Sequence, residues 1–144
     1  MKNPECKVYQ YSDLVDKDYI ELRLGKKRKK GFKESSIFFR TYVFSLFHEI
    51  IWDKYREFQP GSTNVMSKRE WLRVFEDIEE YKTAIKSSKN ELELKKAMII
   101  RGDADFCYDN EFNLYRDNIL LVLTTLHDWV VSSLEEEDNV TICV

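Results

Sequence analysis

Histidine is scarce in this chain. Only His48 and His127 occur, so no multi-histidine metal site can be assembled within it. The zinc-protease helix signature begins at His48-Glu49 but fails at its second histidine position, where Trp52 stands. Cysteine is nearly as sparse. Cys6, Cys107 and Cys143 are an odd, scattered set without C-x-x-C spacing, which argues against a zinc site or a disulfide framework and fits free thiols in a reducing compartment. The N-terminal stretch MKNPECKVYQ lacks the apolar core of a signal peptide. The longest unbroken aliphatic run, Ile119 to Leu123, is far too short to span a bilayer. Cys143 stands next to last, where it cannot form a prenylation motif. There is no glycine-rich phosphate loop, internal repeat, low-complexity tract or interdomain linker. These absences lead to the expectation of a soluble cytoplasmic protein with no cofactor, no metal and no enzymatic activity.

What the chain does contain is apolar and aromatic bulk. With 144 residues, 43% hydrophobic and 14% aromatic, it reads as one domain, able to bury about two-thirds of its unfolded surface. Its net charge of −3 is unevenly spread. Residues 1–60 carry 13 basic and 9 acidic side chains, residues 61–100 carry 8 and 7, and residues 101–144 carry 2 and 10. The last third is therefore an anionic segment, suited to a basic partner and repellent to nucleic acid.

Helical periodicity dominates the reading. Ser35 to Phe58 places Phe39, Val43, Phe47, Ile50, Ile51 and Phe58 on one broad face, which predicts a long aromatic helix ended by Gln59-Pro60-Gly61. Ser67-Lys68-Arg69-Glu70 fits a capping box before a helix with Trp71, Val74, Phe75, Ile78 and Ile85 at helical spacing. Ser88-Lys89-Asn90-Glu91 suggests a second box and a new helix to Arg101, with one continuous helix as the alternative. Asn110 to Leu134 predicts a last helix with Phe112, Ile119, Val122, Leu123, Leu126, Val130 and Leu134 on one face, packed against the first. Ser12 to Leu24 is ambiguous: Ile20 to Leu24 alternates like a strand, but without an evident partner strand a helix is preferred. The expected fold is all-α, a single-domain bundle or array of four to five helices over residues 1–144. Residues 1–11 and 139–144 read as flexible termini, the latter with a short extended piece as its alternative.

The candidate sites are surface features. Lys26 to Lys33 is a cationic run, read as a solvated loop or as a phosphate-contacting segment of a nucleic-acid-binding regulatory module. Asp103, Asp105, Asp109 and Glu111 resemble a calcium loop, but Tyr108 occupies the glycine position and Leu114 the closing glutamate position. Trp52 projects into the polar side of the predicted first helix, either as a second packing face or as an exposed anchor. Arg40 and His48 resemble the arginine–histidine pair of all-helical ribonucleases of the HEPN superfamily, at a longer interval. That resemblance implies a metal-independent ribonuclease using those two residues. Taken whole, the chain resembles the immunity proteins of bacterial contact-dependent growth-inhibition and polymorphic toxin systems. The features that carry this are Trp52, the acidic segment Asp103, Asp105, Tyr108, Asp109 and Glu111, and the run Glu135, Glu136, Glu137 and Asp138. It implies a non-catalytic protein that covers the basic groove of a toxin nuclease with these acidic and aromatic residues. No membrane association or nucleic-acid partner is expected on that reading.

Overall fold

The computed structural model describes residues 6–25, 31–55, 57–59, 62–98 and 112–143. The expected all-α bundle is not what forms. Five strands make an antiparallel sheet, and helices cover one of its faces. In chain order, Tyr9–Gln10 (β1) leads through a 3-10 turn at Tyr11–Asp13 to Ile20–Leu24 (β2) and Ile37–Phe39 (β3). Thr41–Phe44 (α1) and His48–Lys54 (α2) follow, and Asn64–Ser67 (β4) runs directly into Lys68–Lys86 (α3). Glu91–Ala97 (α4), Phe112–Glu136 (α5) and Asn139–Cys143 (β5) complete the order. Across the sheet the strands stand β1-β3-β2-β5-β4.

The long first helix is the main correction. Its opening residues, Ile37-Phe38-Phe39, form a strand buried on both faces, and such a strand is apolar at every position rather than alternating. A short apolar run of that kind cannot be told from a buried helix by periodicity. Arg40 then adopts an extended conformation (ψ 149°) as the N-cap of α1. The chain tightens through i→i+3 bonds, Leu46 N–H to Val43 O (3.0 Å) and Phe47 N–H to Phe44 O (3.1 Å), before α2 begins. The apolar face therefore exists, but a strand and two short helices deliver it.

The segment Ile20–Leu24, assigned above to a helix for want of a partner strand, is β2. Its partners are β3 and β5, the latter at the far end of the sequence: Leu22 stands opposite Ile142 and Arg23 opposite Thr141. The tail Asn139–Cys143 is thus an inner strand held between β2 and β4. The 3-10 turn, rather than an α-helix, occupies Tyr11–Asp13.

Helices α3 and α5 follow their sequence signals closely, whereas α4 ends at Ala97, short of the expected Arg101. Ser67 Oγ accepts from Glu70 N–H (3.4 Å) and Glu70 Oε2 accepts from Ser67 N–H (2.9 Å), closing the predicted capping box. The chain breaks after Ser87, but the cap of α4 is Asn90, whose Oδ1 accepts from Glu93 N–H at 2.9 Å. On α5, Tyr115, Ile119, Val122, Leu123, Leu126, Val130 and Leu134 are buried. Helix α3 is the hub: it packs against α5, α2 and α4, and Trp71 Nε1–H donates to Val140 O (3.1 Å) in β5.

Because successive strand residues face opposite ways, register sorts the sheet's two faces. Ile20, Leu22, Ile37, Phe39, Met66, Val140 and Ile142 face the helices. Phe38, Glu21 and Cys143 form a row on the other face, with Arg23 and Thr141 beside it, and all five are buried. A folded segment over Gly31–Ser36 closes that second face, with Phe32 lying edge-on to Phe38 at 5.0 Å.

Candidate acidic cleft and the predicted site residues

Helix α2 has the sequence HEIIWDK. Ile50 and Ile51 turn into the core, which leaves Glu49, Trp52 and Asp53 on its outer side. Helix α3 turns Val74, Phe75 and Ile78 inward, and so carries Asp77 and Glu80 toward α2. Between them lies a cleft of about 410 Å³ lined by Glu49, Ile50, Asp53, Asp77, Glu80 and Tyr81, with Ala97 of α4 also in its wall. Lys54 Nζ stands 3.5 Å from Asp77 Oδ2 and offsets one of the four carboxylates. Trp52 immediately precedes Asp53 and leaves 36% of its surface in solvent.

An open, anion-walled cleft, with an exposed indole elsewhere on the same helix α2, is suited to receiving cationic side chains. Carboxylates attract guanidinium and ammonium groups, and the indole face adds cation–π attraction. Among the described residues, no group of three or more His, Cys, Asp or Glu side chains converges to hold a metal ion. No described helix is long and apolar enough to cross a membrane.

The predicted acidic residues have two fates. Asp103, Asp105, Tyr108, Asp109 and Glu111 lie outside the described residues. Glu135 and Glu136 end α5, Glu137 and Asp138 make the turn into β5, and all four are exposed. That turn is fixed by Asp138 O, which accepts from Lys68 N–H at 3.1 Å. The Glu137 carboxyl lies 3.6 Å from where a Cβ on Gly25 would stand, and Gly25 immediately precedes the cationic run Lys26–Lys30. The acidic turn therefore lies beside Gly25, the residue that precedes the most basic segment of the sequence. The cleft acids Glu49, Asp53, Asp77 and Glu80 were not singled out in the sequence reading. The one sequence signal for them is the acidic run Glu76, Asp77, Glu79 and Glu80 around Ile78.

Arg40 and His48 have different neighbours. Both Arg40 Nη groups donate to Asp16, at 2.7 and 3.0 Å, and Nη1 also donates to Asp18 O at 3.0 Å. The guanidinium lies over the Tyr19 ring, 4.1 Å from its centroid. Hydrogen bonding from Arg40 is the main cause holding the Asp16 carboxyl below its ordinary pKa, and the same bond raises that of Arg40. The His48 ring packs by Phe44 and Phe58, with centroids 6.0 and 5.2 Å away. The mixed α/β architecture also removes the all-helical frame that the ribonuclease resemblance implies.

Comparison with protein-family models, with curated proteins and with solved structures finds no match to this chain.

Proposed function

We propose that the protein is a non-catalytic binding protein whose α2–α3 cleft receives cationic side chains of a basic protein partner, in the manner of an immunity protein covering a toxin nuclease. The observation that carries this reading is the cleft itself: four carboxylates from two helices line it, and Trp52, next to Asp53 in the chain, is exposed on the same helix α2. A nuclease must present a basic groove to its phosphate substrate. An anionic cleft meeting that groove would steer association through its field and hold through a desolvated aromatic anchor. The partner's cationic groups are thus received by Glu49, Asp53, Asp77 and Glu80 rather than by the acidic turn Glu135 to Asp138.

Co-expression with the product of a neighbouring toxin gene is the direct test. Growth should be restored by the wild-type chain and lost with Asp53→Lys combined with Glu80→Lys. Trp52→Ala should weaken the purified complex by about 2 kcal/mol, roughly thirtyfold in Kd, if the indole is a hot spot. Full protection by the double charge reversal would remove the cleft from the mechanism.

A further inference from the structure

We propose that Gly31–Ser36 is a strap that lifts from the second face of the sheet as a local unit, with Glu21 as its latch. Glu21 is fully buried on β2 and accepts four hydrogen bonds. Two come from Arg23, through Nε at 3.2 Å and Nη2 at 3.0 Å. The other two come from the strap: Lys33 N–H at 2.9 Å and Ser36 Oγ at 2.7 Å. Arg23 adds a further tie by donating to the carbonyl of Gly31. The polar attachments of the strap thus converge on one ion pair.

Its apolar attachment is Phe32, whose ring meets Phe38 and, at 6.4 Å, Tyr19. Gly31, Lys33, Glu34 and Ser35 are exposed. Segments with little buried apolar surface and few hydrogen bonds open locally at a fraction of the free energy of global unfolding. Gly31 supplies a hinge: its φ is 88°, and a Cβ there would meet nothing within 4 Å, so the backbone conformation rather than lack of room explains the glycine. Opening replaces the strap's bonds with water and uncovers Phe38. The ladders from β2 to β3 and β5 stay paired, since no strap residue belongs to them. At the other end of the cationic run, Gly25 stays pinned to β5 by Gly25 N–H to Asn139 O (2.8 Å) and by Thr141 Oγ to Gly25 O (2.6 Å).

Native-state hydrogen exchange, followed amide by amide in low urea, tests the proposal on the intact chain. The Lys33 amide should exchange through a urea-insensitive opening, whereas ladder amides of β2 and β5 wait for a urea-sensitive one. In Glu21→Gln, exchange at Lys33 should rise roughly tenfold or more relative to the ladder amides, the scale of a lost charge-assisted hydrogen bond. Ser36→Ala keeps both charges and should give a smaller rise confined to the strap; it is the deciding variant if Glu21→Gln does not fold. Lys33 sharing the urea dependence of the ladder overturns the proposal, as does either folded variant accelerating strap and ladder alike.

Discussion

Arg40 and Asp16 form a two-point clasp on the surface, and a charge-assisted pair of this kind shows itself in titration more than in stability. Because the Asp16 carboxyl titrates below its ordinary range, the clasp is intact above that range and loosens as pH falls through the depressed value. Carboxyl chemical shifts should give Asp16 a lower midpoint in the wild type than in Arg40→Ala, where it returns toward the ordinary carboxylate value. Trp71 is the buried counterpart. Its indole N–H reaches Val140 O across the interface between helix and sheet. Trp71→Phe removes that donor and part of the ring, and should lower the stability measured by urea denaturation by about 1–3 kcal/mol. The helical spacing of Trp71 with Val74, Phe75 and Ile78 marks it as part of an apolar face. The hydrogen bond across 69 positions was not visible there, since nothing near Trp71 encodes the arrival of β5.

At the scale of elements, local signals were read well and non-local ones were not. The capping box at Ser67 and the apolar stripes of α3 and α5 are written within a few residues of where they act. Ser67→Ala should cost about 1 kcal/mol, read as a shift in the urea midpoint with an unchanged slope. Strands β2 and β5 are another matter. Ile20 to Leu24 alternates as a strand does, but one partner strand hides in the apolar run Ile37–Phe39 and the other in a tail that reads as a flexible terminus. Because β5 is hydrogen-bonded on both sides, a chain ending at Asp138 leaves β2 unpaired along one edge and β4 without its partner strand, and exposes Val140's packing site on α3. Such a truncation should abolish the cooperative thermal transition seen by circular dichroism; a retained sharp transition would show that the helices fold without the sheet's inner strand. The reading of Ile37–Phe39 failed for a different reason. A strand buried on both faces has no polar positions to betray a period of two.

At the scale of the whole molecule, folding redistributes charge that the sequence keeps apart. The acidic turn at Glu137 comes to rest by Gly25, the residue that precedes the cationic run, while acids from α2 and α3 gather around one cleft. Association with a basic partner through that cleft should slow as ionic strength rises, because the field that steers encounter is screened over about 8–10 Å at physiological salt. Stopped-flow rates independent of salt would count against it. By itself, the sequence determined the existence of helices α3, α4 and α5, the capping box of α3, the inward faces of α3 and α5, and the apolar character of residues 37–58, because these depend on spacing within a turn or two. Only the tertiary structure decided that the chain is built on a sheet, that Glu21 and Arg23 are buried together, and which carboxylates share a cleft. Strand pairing and charge proximity join residues far apart in the chain, and no local pattern specifies which distant segments will meet.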